Sequence, residues 1–262
     1  MCYNLKVLSG GEHMKIIASD YDGTLNHGGI DEEKIKAIAA WRSAGNIFAI
    51  VSGRSPNDLL RLYRKNNFEC DYLVADNGAV ILTTDGRIVS HADCDGSLAL
   101  PLINLLIDCG SDWVFVQTAN DFSVYADSTE CSESNDYIVS DMPQVNYFNQ
   151  INTRLPDFET AANVTAKVAK VFEGKLNALQ NGTCIDIVRA DVNKAKGIYA
   201  LMKLAGAEYD DVIAVGDNIN DRDMIAEFRS YAMENGVDSI KEIADYITPS
   251  VTELILKELD NC

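Results

Sequence analysis

Three times before residue 80 this chain drives a short apolar run straight into a polar, glycine-bearing turn. Lys15-Ile16-Ile17-Ala18-Ser19 stops at Asp20-Tyr21-Asp22-Gly23-Thr24, Asn46–Val51 stops at Ser52-Gly53-Arg54, and Asp71–Ala75 stops at Asp76-Asn77-Gly78. Helix-period segments separate the runs. Asp31 stands as N-cap to a stretch that spaces Ile35, Ile38, Ala39 and Arg42 helically and closes at Gly45. Ser55-Pro56 then supplies a cap and a first-turn proline ahead of Leu59, Leu60 and Tyr63. Near-continuous apolar strands that alternate with helices imply a parallel sheet covered on both faces.

The rhythm changes at Ala79. Asp85-Gly86 sits between Val80–Leu82 and Arg87–Ser90 as a hairpin signal. A helical run follows near Ser97–Ile107, then strands near Trp113–Thr118 and Phe122–Ala126, and an irregular stretch over Asp136–Pro156. Thr160–Phe172 reads as a helix, and Lys175–Leu179 and Cys184–Val188 as strands around Asn181-Gly182. The first rhythm returns with an amphipathic helix over Asn193–Leu204, a strand over Asp211–Val215, a helix over Asn220–Phe228, and one more strand–helix pair through Leu259. The expected fold class is therefore α/β: a doubly wound parallel-sheet core, residues 14–84 and 189–262, interrupted by an inserted α+β domain over 85–188. Residues 1–13 read as an extension, either an ordinary flexible tail or, equally, the trace of a translated purine-rich ribosome-binding site, which Ser9-Gly10-Gly11-Glu12-His13-Met14 would encode and which would make Met14 the start.

Composition narrows the partners. Among 262 residues, 22 Lys and Arg face 40 Asp and Glu, a formal charge of −18 that offers no general attraction to phosphate backbones or anionic lipid. Neither nucleic acid nor membrane is an expected partner; a small metabolite is. Seven cysteines without a CxxC pair fit a reducing cytoplasm better than a zinc cage or a disulfide framework. The longest apolar runs fall far short of the ~20 residues of a membrane span, and the N-terminus has no apolar signal core. A cytoplasmic chain is expected, and monomer and dimer both stay open.

Chemistry concentrates where apolar strands end. Asp20 and Asp22 lie two apart, so extended backbone aims both at one substrate, and Gly23 permits the sharp turn. Ser52 and the bare Gly53 backbone can donate to phosphoryl oxygens, though Ser52-Gly53-Arg54 also serves as an ordinary strand-to-helix turn. Asp76-Asn77-Gly78 reads mainly as a structural turn, with a place in the lining of the pocket as the alternative. Lys194 and Lys196 open a helix, where either is able to neutralise phosphate or project into solvent. Asp217 and Asp221, four apart in Gly216-Asp217-Asn218-Ile219-Asn220-Asp221, can share a face and serve one cation, or simply cap a helix. Each fragment alone has a structural explanation. Their convergence on the carboxyl edge of one sheet, where such folds bind ligands, favours function.

The ordered set DYDGTL, VSGR, Lys194 and GDNIND resembles the four motifs of the haloacid dehalogenase-like hydrolases, and GDNINDRDMI followed by YAMENG and ADYITPS is similar to their Cof-type branch, mostly phosphatases of sugar phosphates and other small metabolites. The resemblance runs from about Met14 to the end of the chain. It implies a Rossmann-like core with a cap, Asp20 as nucleophile, Asp22 as general acid and base, and Lys194 (with Lys196 as the alternative) as the phosphate-neutralising lysine. It further implies Thr24, Ser52, Gly53, Arg54 and Asn220 around the phosphate, and Mg2+ held by Asp20, Asp217, Asp221 and the Asp22 backbone carbonyl. Three ionised aspartates with Asp22 protonated give about −3, which Mg2+ and Lys194 return as about +3. The expected activity is Mg2+-dependent hydrolysis of a phosphomonoester, foremost a sugar phosphate, through an aspartyl-phosphate. A mutase using the same intermediate and a noncatalytic metabolite-binding regulator are the alternatives. Val251-Thr252-Glu253-Leu254 departs from the Asp-Gly-Val segment usual in the branch, a matter of packing. Asn120, Asp121 and Arg154 are candidate substrate contacts in the cap; His13, His27 and His91 carry no expected role, and Trp41 and Trp113 are expected to pack.

Overall fold

Strand β1 (Ile16–Asp20) is buried at every residue because parallel strands flank it on both sides and helices cover both faces. The computed structural model describes residues 14–66, 68–111, 113–119, 122–126, 136–138 and 145–260. After β1 come α1 (Glu32–Ser43), β2 (Ile47–Val51), α2 (Pro56–Lys65), β3 (Tyr72–Ala75), β4 (Val80–Thr83) and β5 (Ile88–His91). The inserted part holds β6 (Cys94–Asp95), α3 (Ala99–Asp108), β7 (Val114–Gln117), β8 (Phe122–Ala126), β9 (Asp136–Ile138), β10 (Tyr147–Phe148), β11 (Gln150–Arg154), α4 (Phe158–Val171), β12 (Leu176–Asn181) and β13 (Cys184–Arg189). The chain then returns through α5 (Lys194–Ala205), β14 (Val212–Gly216), α6 (Arg222–Glu227), β15 (Arg229–Met233), α7 (Asp238–Lys241), β16 (Tyr246–Thr248) and α8 (Val251–Asp260).

The large sheet has the order β16-β15-β14-β1-β2-β3-β4-β5. Its strands run parallel from β16 to β3, and the β4–β5 hairpin closes one edge antiparallel. Strand alternation splits the core in two. Ile17, Phe48, Ile50 and Leu73 face α1, α2 and α8 through Ile38, Trp41, Leu59 and Leu254. Ile16, Ala18, Ala49 and Val74 face α5 and α6 through Ile198, Leu201, Met224 and Ile225. Both helix caps read from sequence are formed: Asp31 accepts from the Lys34 amide and Ser55 from the Asp58 amide. Trp41 is buried with its indole N–H on the Ile47 carbonyl, a packing residue as expected.

Two expectations need correction. Residues 85 and beyond do not leave the core at once: β5 pairs with β4, so the changeover expected at 84/85 comes after His91. The Asp85-Gly86 turn merely closes a hairpin whose two strands belong to the same sheet. And the stretch 136–156 is not irregular throughout, since β11 pairs with both β7 and β13 inside the six-stranded sheet β12-β13-β11-β7-β8-β9. Its Gln-Ile-Asn-Thr-Arg pattern carries only one strongly apolar residue, which hides a central strand.

The reason for that pattern positions the site. On one face of the cap sheet, Val114, Val116, Ile151, Ile185 and Ile187 pack on Leu102, Leu106, Val164 and Val168 of α3 and α4. The opposite parity faces the carboxyl edge of the large sheet: Phe115, Gln117, Asn152, Cys184 and Asp186 line a cavity against it, and Gln150 touches it directly. The proposed extension and the expected start at Met14 concern residues 1–13, outside the described residues. No described helix is long and apolar enough to cross a membrane.

Candidate active site

Asp20 ends β1 and is only 4% exposed. The chain then turns through Tyr21–Leu25, with Gly23 at φ +84°. A Cβ at that glycine would fall inside the Asp217 carboxylate, so only glycine lets the β1 turn approach the loop after β14. Thr24 Oγ1 donates to Asp217 Oδ1 at 2.7 Å and ties the two loops.

Lys194 arrives from α5. Asn193 caps that helix by accepting from the Lys196 amide, and the cap places Lys194 at its first turn, pointing inward and 1% exposed. Its Nζ lies 2.6 Å from Asp20 Oδ1 and also contacts Asp221 Oδ1. Asp221 folds back over its own loop, where Oδ2 accepts from the Asp217 and Asn218 amides at 2.9 and 3.1 Å. Gly216 makes that possible, because a Cβ there would overlap the Asp221 carboxyl. Lys196 is exposed and lies over the Tyr199 ring, outside the cluster.

Carboxylate oxygens of Asp20, Asp217 and Asp221 all lie within 4.8 Å of one another. Burial, then Asp221, drives the Asp20 pKa well above the usual carboxylate range, against the pull of Lys194. Burial also raises Asp217. For Lys194, burial works against the ammonium, but Asp20 and Asp221 outweigh it and keep the side chain protonated. Three acids against one buried ammonium leave excess negative charge on hard oxygen donors, the environment that a small divalent cation such as Mg2+ relieves.

Ser52, Gly53 and Arg54 follow β2 on the same edge, and Asn220 sits on the turn before α6 with a buried Oδ1 that has no partner among the described residues. With Asp20 and Asp22 they line a cavity of about 660 Å³. Asp22 is not turned toward Lys194. Its carboxylate pairs with Arg54 through two contacts of 2.6 and 2.9 Å, and Arg54 also reaches Asp58 at 2.5 Å. Two residues expected to address substrate thus address each other.

The opposite wall was not legible from motifs. Phe115, Gln117, Asn152, Asn181, Cys184 and Asp186 come from β7, β11, β12 and β13. Asn77, read as part of a turn, is fully buried at φ +53° and donates to Gln150 Oε1 and Asp186 Oδ2, each at 2.9 Å. Polar residues alternating with Val and Ile were the available signal. Of the cap candidates, Arg154 is exposed and away from the cavity lining, while Asn120 and Asp121 lie outside the described residues.

The family model for haloacid dehalogenase-like hydrolases matches residues 17–254. The chain belongs to that family. This haloacid dehalogenase-like hydrolase is 25% identical to the 5-amino-6-(5-phospho-D-ribitylamino)uracil phosphatase YwtE of Bacillus subtilis, over 92% of this chain and 94% of that protein. Its fold superposes on a HAD/COF-like hydrolase from Plasmodium vivax with a TM-score of 0.81 at 23% identity, covering 96% of this chain and 98% of that one. The subclass IIB sugar phosphatase BT4131 gives a TM-score of 0.78 at 17% identity, covering 95% and 100%. The hydrolase family and its core-plus-cap fold agree with the sequence reading.

Proposed function

We propose that this family member is a Mg2+-dependent phosphomonoester hydrolase that works through an aspartyl-phosphate on Asp20, with a small phosphorylated metabolite, foremost a sugar phosphate, as substrate. The observation that carries the reading is Asp20 at the cavity floor, 2.6 Å from a buried Lys194 and grouped with Asp217 and Asp221. The named activities of YwtE and BT4131 support the substrate class.

Asp20, Asp217 and Asp221, with the Asp22 backbone carbonyl, would hold Mg2+; bound there, it supplies positive charge that offsets the phosphate dianion. Asp221 has a second duty, because its oxygens already hold Lys194 and the Asp217–Asn218 amides. Lys194, the Ser52 hydroxyl and the Gly53 amide hold the non-bridging oxygens, with Thr24 steadying Asp217 and Asn220 at the cavity wall. A charge-dispersed, largely dissociative transition state needs such positioning more than it needs covalent assistance. Asp20 attacks phosphorus as the ester oxygen departs with a proton from Asp22; Asp22 then takes a proton from the water that opens the aspartyl-phosphate. Asp22 must first exchange its contact with Arg54, which frees Arg54 to meet the phosphate.

Incubating the purified chain with phosphorylated metabolites and Mg2+ tests this. Stoichiometric inorganic phosphate and free alcohol are expected. An isomeric sugar phosphate without phosphate release would assign a mutase, and no turnover across sugar, nucleotide and acyl phosphates would leave a binding protein.

A further inference from the structure

The loop that follows β2 has three consecutive carbonyls, and each is bonded from behind. Ser52 O accepts from the Asn77 amide at 3.0 Å, and Arg54 O from the Asp76 amide at 2.9 Å. Both donors belong to the core. The middle carbonyl, Gly53 O, accepts instead from Gln150 Nε2 at 2.9 Å, a side chain on cap strand β11. Gln150 is fully buried, and its Oε1 takes a hydrogen bond from Asn77 Nδ2, which also donates to Asp186 Oδ2 on the neighbouring cap strand β13. Cap and core are therefore clasped directly behind the loop that faces the cavity.

A trans peptide is planar, so fixing a carbonyl fixes the amide on its other side. The Asn77 amide holds Ser52 O and turns the Gly53 N–H the opposite way; that N–H has no partner among the described residues, and Gly53 lines the cavity. Gln150 holds Gly53 O and so sets the Arg54 N–H, which donates to Ser52 Oγ at 3.2 Å. With that lone pair occupied, the Ser52 hydroxyl is left to donate outward. Glycine at 53 would otherwise leave this peptide free to rotate. A Cβ at 53 would stand 2.9 Å from Asp186 Oδ2 and 3.0 Å from Asn77 Nδ2, so the clasp side chains would have to shift to admit one.

We propose that Gln150 is a positioning residue: by clasping Gly53 O it orients the Gly53–Arg54 peptide and the Ser52 hydroxyl, so that seating the cap and completing the phosphate cradle are one event. Lifting the cap withdraws Gln150 and Asp186 together, because β11 and β13 are paired, and the cradle loses its middle anchor. By linkage, a phosphate in the cradle holds the cap down as strongly as the seated cap holds phosphate. The inference rests on the phosphatase reading above.

The test is Gln150→Met in the full chain, which keeps length and removes the donor. Steady-state hydrolysis of p-nitrophenyl phosphate with Mg2+ and its inhibition by inorganic phosphate are measured beside the wild type. KM and the inhibition constant of inorganic phosphate are expected to rise on the order of tenfold, the loss of about one hydrogen bond near a charged ligand. kcat is expected to stay within about threefold, because ground state and transition state lose the bond alike. Asn77→Gly, which keeps the left-handed backbone and removes the carboxamide, should raise both constants as well, and the double variant should fall short of the product of the two. A cooperatively folded Gln150→Met or Asn77→Gly that binds inorganic phosphate as tightly as wild type overturns the inference and leaves the phosphatase reading intact. A wild type without hydrolysis removes both.

Discussion

The cavity has two unlike walls. On the core side, Asp20, Lys194 and Asp221 are buried charges held by each other and by backbone amides, drawn from three segments far apart in the chain. On the cap side the groups are mostly neutral: Gln117 Nε2 donates to Asn152 Oδ1 at 3.0 Å, Gln117 Oε1 is buried without a partner among the described residues, and Phe115 adds one ring. Buried charges are costly unless matched, so removing the Lys194 ammonium leaves the carboxylates of the core wall unmatched. Neutral amides are cheap to exchange and can change what is recognised while leaving the fold in place. Under the proposed function, chemistry falls to the core wall and selectivity to the cap wall, the two joined by the clasp at Gln150 and Asn77.

Lys194→Met breaks the comparison hardest. It strands two buried carboxylates without their cation, and the expected loss is about 3–5 kcal/mol in urea unfolding together with a fall in turnover of roughly a thousandfold or more. Unfolding near the wild-type midpoint would show that the core wall is not matched as described. Asp22→Asn comes next. In single-turnover measurements of leaving-group release, which exclude the water-dependent step that Asp22 serves for every ester, an alkyl phosphate should slow on the order of a hundredfold or more and p-nitrophenyl phosphate much less, because nitrophenolate leaves without a proton. Equal losses on both esters would take the acid role from Asp22.

Asp186 sharpens the contrast from the cap side, since it is the charged exception there. Burial pushes its carboxyl up to about 6, against the stabilising bond from Asn77. A raised carboxyl pKa contributes stability that is whole below the unfolded value of about 3.9 and lost as pH rises to about 6. Asp186→Asn has no such loss. In urea unfolding it should match wild type near pH 4 and exceed it by up to about 3 kcal/mol above pH 6. A difference that does not vary with pH would mean that the carboxyl is not desolvated. The smallest effect belongs to Asn152→Ala: stability within about 1 kcal/mol of wild type, with KM shifting by different factors on different sugar phosphates. A uniform shift would remove Asn152 from selection.

The two walls also differ in how far they could be read from residues alone. Ile16–Ser19 and Ile47–Val51 are continuous apolar runs because parallel strands are buried on both faces, so strand and turn were both visible, and with them Asp20, Ser52 and Asp217. Lys194 and Lys196 share a helix turn, and only the Asn193 cap and the direction of α5 separate the buried one from the exposed one. β11 stayed hidden because Asn152 faces the polar cavity and Gln150 the core loop at Gly53, which removes the hydrophobic signal a central strand usually shows. Asn77 looked like turn chemistry, and it is a turn; its second role depends on β11 and β13, which lie more than seventy residues away in the chain. The ion pair between Asp22 and Arg54 likewise joins two motifs that sequence spacing treats separately.

Mass spectrometry of acid-quenched enzyme tests the central claim most directly. After brief mixing with a turned-over phosphomonoester and Mg2+, the peptide containing Asp20 should carry one additional phosphoryl group. The label should be absent from Asp20→Asn, which should fold normally and not turn over. Phosphoryl transfer to Ser52, or undiminished turnover by purified Asp20→Asn, would contradict the account.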